Sequence, residues 1–111
     1  MLYVESDGTI KLTRGDTARL TVDIDNDVDG NEYIIQEEDT LTMTIKKNIT
    51  DTVPALQKIS KGVNVFHIQP SDTSQLDFGS YKYDIQLMTA DGDVYTVIGP
   101  ATFTLLKEVT C

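Results

Sequence analysis

The side chains that could hold a metal ion are concentrated in the stretch Asp25-Asn26-Asp27-Val28-Asp29-Gly30. Oxygen ligands at alternate positions, followed by glycine, are the opening of an EF-hand calcium loop. The match then ends, because the twelfth position of such a loop needs a bidentate glutamate and here is Gln36. The flanking residues also alternate with a period of two, whereas EF-hand loops lie between helices. The pattern favours a solvated loop after a strand, with weak calcium binding by Asp25, Asp27 and Asp29 as the alternative.

The tripeptide Arg14-Gly15-Asp16 is the sequence that integrins bind when a loop presents it. Glycine and aspartate are also common turn residues, and Thr17 precedes an alternating run typical of a strand. We therefore interpret the tripeptide as a strand connection, and an adhesion-type domain remains a minor alternative.

The sequence contains few residues that could support catalysis. His67 is the only histidine, so no second imidazole is present for a metal site, and Cys111 is the only cysteine and the last residue. The seven glycines are scattered singly and form no phosphate-binding pattern. We predict that the protein is not an enzyme and has no cofactor, catalytic residue or metal site.

Sugar binding is a more serious alternative, because β-sandwich modules often bind carbohydrate. Such sites stack sugar rings on exposed aromatic side chains, and this chain has no Trp and only 7% aromatic residues. Tyr33 and Tyr95 are the best exposed candidates, whereas Tyr81, Tyr83 and Phe103 face inward by alternation.

The net charge of −9 comes from one segment. Residues 23–39 hold eight acids and no base, while the remaining 10 acids and 9 bases nearly balance. Binding to nucleic acid or to anionic lipid needs a footprint of lysine and arginine, so neither partner is expected. No secretory signal and no membrane span is visible.

The dominant hydrophobic period is two, which indicates half-buried strands. The clearest runs are residues 18–24, 41–45 and 81–87, with weaker candidates at 9–13, 33–35, 56–60 and 63–69 and a long last strand at about 94–106. Asp91-Gly92, between the 81–87 run and the last strand, predicts a hairpin. Gly99-Pro100, within the last strand, predicts a bulge or a strand that changes sheets. Residues 71–76 after Pro70 have room for one helical turn. We predict a single all-β domain over residues 1–111, with an ordered core of about 9–107: an antiparallel sandwich of seven or eight strands.

The segment Asp77-Phe78-Gly79-Ser80-Tyr81-Lys82-Tyr83 has the spacing of a tyrosine corner. In immunoglobulin-type sandwiches, a tyrosine near the start of strand F donates its hydroxyl to upstream backbone while its ring packs inward. The cysteine of the antibody version is replaced by Tyr83. Tyr81 is thus the predicted corner residue, which makes the expected sandwich immunoglobulin-like. The alternative is a strand that merely starts with tyrosine after a glycine turn.

Two stretches resemble the small immunoglobulin-like domains of phages and prophages of Gram-positive bacteria, in particular the N-terminal domain of upper baseplate proteins. The first runs from Ile10 to Ile24 around Arg14-Gly15-Asp16-Thr17. The second runs from Gly79 to Leu105 through Asp91-Gly92 and Gly99-Pro100. The resemblance spans residues 10–109 and is carried by turns and strands rather than by catalytic residues.

The resemblance implies a structural protein of the virion, made in the host cytoplasm. Its expected role is a docking module of the tail, baseplate or neck. The implied partners are other tail or baseplate proteins, with self-association as a further expectation. In upper baseplate proteins the domain continues into a helical stalk, and no stalk follows here before Cys111, so a host-attachment role is not implied. The acidic residues 23–39 are a candidate docking surface, with a solvated loop as the alternative.

Overall fold

The computed structural model describes residues 8–24 and 33–107, together with the backbone of residues 2–4. This part of the chain forms eight strands and one helical turn. In chain order they are β1 (Leu2–Val4), β2 (Ile10–Thr13), β3 (Ala18–Thr21), β4 (Thr40–Lys46), β5 (Leu56–Lys61), β6 (Val65–Ile68), α1 (Pro70–Thr73), β7 (Gly79–Met88) and β8 (Val94–Leu106). The prediction of an all-β fold is confirmed.

The strands form two sheets. The larger sheet has the order β1-β2-β8-β7-β4-β5, and the smaller sheet pairs β3 with β6. Each pair of neighbours is antiparallel except β2 and β8, which run parallel with Ile10 opposite Phe103. The expectation of a wholly antiparallel arrangement is wrong at this pair. Its two strands are distant in the chain, so no hairpin turn dictates their relative direction.

One hydrophobic core lies between the two sheets. Side chains alternate along each strand, so that one face is buried and the other is exposed, as in β3 and β7. Leu20 and Phe66 from the smaller sheet belong to the same buried cluster as Met43, Ile85 and Phe103 from the larger one. Burial of this apolar area is the main stabilising contribution, at roughly 25 cal/mol per Å².

The hairpin between β7 and β8 is confirmed. Met88 pairs with Val94, and the Thr89 amide donates to the Asp93 carbonyl at 2.9 Å. The bulge is also confirmed, because the register shifts so that Gly99 and Pro100 lie opposite Asp84 alone. Gly99 has φ +152°, and a Cβ at this position would lie 2.5 Å from the Asp84 Cβ. Only glycine fits there.

Two sequence-based expectations about strands need correction. Residues 33–35 were expected to form a strand but do not; the Tyr33 amide donates to the Ile24 carbonyl at 2.6 Å, and the chain then turns toward Asp39. β1 was not predicted, because its three residues are too few to show a period. The helical turn α1 agrees with the single turn expected after Pro70.

The sandwich is closed along one side by side chains rather than by strand pairing. β5 belongs to the larger sheet and β6 to the smaller one. The Ser60 hydroxyl bridges them where they meet, at 2.9 Å from both the Val63 and Val65 carbonyls. Farther along, the Lys58 ammonium reaches the Asp72 carboxylate at 3.0 Å. A lysine that faces inward on an edge strand also discourages pairing with a foreign strand.

Candidate interaction surfaces

The strand connections collect at two opposite ends of the sandwich. We call one the corner end; it comprises residues 14–17, 47–55 and 69–78 and Lys107 after β8. We call the other the acidic end; among the described residues it comprises 22–24, 33–39, 62–64 and 89–93. Residues 25–32 of the predicted acidic docking surface lie outside the described part of the chain. Strand directions determine this partition, because successive strands run to and fro between the two ends.

Tyr81 forms the predicted corner. Its ring is buried, and its hydroxyl donates to the main-chain carbonyl of Asp77 at 2.8 Å. Burial raises the pKa of the Tyr81 hydroxyl, and the Asp77 carboxylate raises it further. Tyr83, two residues on, packs edge-on against Phe103 and donates its hydroxyl to the Gly8 carbonyl. The start of β7 is therefore tied to the chain before it and to the N-terminal segment.

The Arg14-Gly15-Asp16 turn packs onto this corner. The Arg14 guanidinium lies 4.0 Å above the centre of the Phe78 ring and donates to the Leu76 carbonyl at 3.1 Å. The Gly15 amide donates to the hydroxyl of the fully buried Thr73 at 2.9 Å. The prediction that this tripeptide is a strand connection is confirmed. Its arginine is held against the protein by these contacts.

Two lysine side chains of the corner end also lie near its aromatic rings. The Lys47 ammonium lies 4.6 Å from the centre of the Tyr81 ring, and the Lys107 ammonium lies 5.9 Å from the centre of the Phe78 ring. Cations on aromatic faces are typically stabilised by ~0.5–1 kcal/mol each at exposed sites. Three cations therefore gather around two rings at one end of a protein that is acidic overall.

The acidic end is organised by the buried Asp39. Its carboxylate accepts hydrogen bonds from the Tyr33 hydroxyl at 2.5 Å and from the Gln36 amide at 2.9 Å. The hydrogen bond to Asp39, together with burial and the negative charge of that carboxylate, raises the pKa of Tyr33 to about 12. The Asp39 carboxylate therefore has a structural role, whereas the side chains of the adjacent Glu37 and Glu38 are exposed.

The sugar-binding candidates are only partly available for stacking. Tyr95 is 53% exposed near the start of β8. Tyr33 packs against the core and uses its hydroxyl to hold Asp39. The hydrogen bond between Tyr33 and Asp39 was not visible in the sequence, because the two side chains meet only through the turn between them.

Of the metal and nucleophile candidates, only His67 lies in the part of the chain that the structure describes. Asp25, Asp27 and Asp29 lie outside the described residues, as does Cys111. His67 is exposed on β6, opposite Arg19 of β3. Among residues 8–24 and 33–107, no three histidine, cysteine, aspartate or glutamate side chains form a group that could hold a metal ion.

A shallow trough of about 560 Å³ crosses the outer face of the larger sheet. Its floor follows one row of register partners, Gln57, Thr44 and Asp84, and its walls include Pro54 and Pro100. Lys46 and Lys82 pair in register at its edge, and the Lys82 ammonium donates to the Thr102 hydroxyl at 3.0 Å. The trough was not predicted, because it depends on the 47–55 connection folding over the sheet.

No family model matches the chain, and no curated protein matches it. Across the described ranges, no helix has the length and apolar character needed to cross a membrane.

Proposed function

We propose that this protein is an immunoglobulin-like β-sandwich. In that fold, strands B and E belong to one sheet, and G, F, C and C′ are neighbours in the other. The pairing of β3 with β6 and the order β8-β7-β4-β5 correspond to this arrangement. The tyrosine corner of the fold lies between strands E and F, and Tyr81 stands in the equivalent place, after β6 and near the start of β7.

Its function, in this proposal, is that of a non-enzymatic structural protein of a phage or prophage virion. The sequence resemblance supplies the link to tail and baseplate domains. The two stretches that carry the resemblance, residues 10–24 and 79–105, lie close together in the fold, and this supports treating them as one unit. Arg14 of the first stretch lies on the corner that leads into the second, at 4.0 Å from the Phe78 ring.

The proposed role is protein–protein docking within the tail, baseplate or neck, after synthesis in the host cytoplasm. Docking on such a particle needs exposed surface rather than a closed cavity. The two ends of the sandwich offer charged connections with exposed apolar side chains between them, such as Ile34 at the acidic end and Phe78 at the corner end.

Mass spectrometry of purified particles from an induced lysogen that encodes this chain tests the proposal. We expect the chain in the particles at a fixed ratio to other structural proteins. Its absence from particles, with the chain present in the lysate, overturns the virion role.

A pair of variants tests docking through the acidic end. We expect Glu37→Lys with Glu38→Lys to reduce incorporation into particles. Asp39 is left unchanged because it holds Tyr33. The matched control is Arg19→Glu, an exposed charge reversal in the middle of β3. Equal incorporation of both variants contradicts docking through this end.

A further inference from the structure

The smaller sheet has one edge that no strand within the described ranges covers, because β3 pairs with β6 on one side only. The Val22 amide donates to the Asn64 carbonyl at 2.8 Å, on the side of β6. Successive residues of an extended strand direct their main-chain amide and carbonyl groups to opposite edges. The amides and carbonyls of Arg19 and Thr21 therefore point toward the uncovered edge.

This edge lacks the features that prevent a foreign strand from pairing. Native edge strands are protected by inward-facing charges, proline or bulges. β5, at one edge of the larger sheet, has such a charge in Lys58, which lies 3.0 Å from Asp72. The inward-facing side chains of β3 are Ala18 and Leu20, followed by Val22, and all three are buried and apolar. The edge of β3 is thus suited to receive another strand.

We propose that β3 pairs antiparallel with β3 of a second copy, with Thr21 opposite the partner's Thr21 across a two-fold axis. In this register Arg19 lies opposite the partner's Asp23, and Asp23 lies opposite the partner's Arg19. The side chains of all three residues are exposed. Opposite charges that face each other across paired strands stabilise the pairing. The dimer joins two two-stranded sheets into one four-stranded sheet with the order β6-β3-β3-β6.

The charges of β3 favour a second copy in this register. Residues 17–23 contain one base and one acid, Arg19 and Asp23, and each lies two positions from Thr21. β6 contains no acid, lysine or arginine that would alter this balance. An axis at Arg19 would place two arginines opposite each other, and an axis at Leu20 would leave both charges opposite threonines. A shift by one residue would turn the buried side chains of one copy to the exposed face of the other.

Hydrogen exchange at several protein concentrations tests the pairing. We expect the Thr21 amide to exchange about tenfold or more slowly at high concentration, because it donates to the partner's Thr21 carbonyl only in the dimer. The Val22 amide, which bonds to Asn64 within one copy, is the internal control and stays protected throughout. Sedimentation velocity over the same range measures the monomer–dimer equilibrium. A chain that is monomeric up to millimolar concentration, or a Thr21 amide whose exchange is independent of concentration, overturns the inference.

Charge reversals test the register. Arg19→Glu alone and Asp23→Arg alone each place two pairs of like charges opposite one another. We expect either variant to dimerise about tenfold or more weakly than the parent. An equimolar mixture of the two variants restores opposite charges at both positions, so it should form a heterodimer. Lys82→Glu makes the same charge change on the exposed face of β7 and should dimerise like the parent. Parent-like dimers of either single variant, no recovery in the mixture, or an equal loss in the control overturns the inference.

These measurements use the purified chain, so their failure is distinguishable from failure of the virion role, which is read from particles. Arg19→Glu, the control in the incorporation experiment, also disrupts the proposed dimer. Co-expression of the Asp23→Arg chain restores the pairing. A loss of incorporation that this co-expression reverses therefore comes from the dimer and not from the acidic end.

Discussion

The Tyr81 hydroxyl donates a 2.8 Å hydrogen bond to the main-chain carbonyl of Asp77, four residues upstream. This bond joins the end of the β6–β7 connection to β7 and brings Phe78 to the surface beside Arg14. The same connection contains α1, whose Thr73 hydroxyl binds the Arg14-Gly15-Asp16 turn. One hydrogen bond therefore helps to shape the whole corner end.

Removing this hydroxyl lowers stability without emptying the core. We expect Tyr81→Phe to reduce the free energy of unfolding by about 1 kcal/mol, because the ring stays buried and only the hydrogen bond is lost. Urea unfolding measures the change. Tyr95→Phe is the control, since no hydrogen bond of its hydroxyl is found among the described residues. Equal midpoints for the two variants contradict a structural role for the corner bond.

Tyr33 makes a contribution to stability that is lost at alkaline pH. Its pKa is raised from 10.0 to about 12 in the folded protein, chiefly by the hydrogen bond to Asp39. A raised pKa means that the folded state retains the proton longer, so the contribution is complete below pH 10 and is lost as the pH rises toward 12. We expect the ultraviolet titration of the folded protein to contain a late tyrosine that Tyr33→Phe removes. An unchanged titration in the variant contradicts this assignment.

The bulge in β8 accepts no side chain. We expect Gly99→Ala to lower the free energy of unfolding by ~2–3 kcal/mol, because a Cβ at this φ is strained and would lie 2.5 Å from the Asp84 Cβ. Gly15→Ala is the matched control. Gly15 also has positive φ, at +84°, but a Cβ there meets no atom within 4 Å, so we expect about 1 kcal/mol. Thermal unfolding of both variants separates the clash from the backbone strain.

The bridge between Lys58 and Asp72 stabilises the fold at neutral pH. Burial by itself would raise the pKa of the Asp72 carboxyl, but the Gln69 amide and Lys58 outweigh it and hold that pKa below its ordinary value of 3.8. A lowered pKa gives stability that is present above pH 3.8 and is lost as the pH falls through the folded value.

We therefore expect Asp72→Asn to destabilise the protein by about 1.5 kcal/mol at neutral pH. The difference from the parent should shrink below pH 3.8. Asp51→Asn is the control, because the Asp51 carboxylate accepts one backbone amide bond, from Asn48, and has no lysine partner among the described residues. A pH-independent effect of Asp72→Asn argues against the ion pair as its cause.

Local patterns in the sequence were sufficient to predict the elements that depend mainly on neighbouring residues. Alternation identified β4, β7 and β8 closely, because one face of each must be buried. Asp91-Gly92 and Gly99-Pro100 marked the hairpin and the bulge, because their backbone requirements are carried by the residues themselves. Tyr81 could be predicted as a corner because its partner, Asp77, is only four residues away.

Contacts between distant residues required the folded chain. Three contacts leave no periodic signal in the sequence, since each depends on how separate elements pack. They are the parallel pairing of β2 with β8, the contact of the Arg14 guanidinium with the Phe78 ring, and the hydrogen bond from Tyr33 to Asp39. Arg14, Lys47 and Lys107 are far apart in the sequence, and only the folded chain brings them together at the corner end. Strand order and direction decided this, because they determine which connections come together in space.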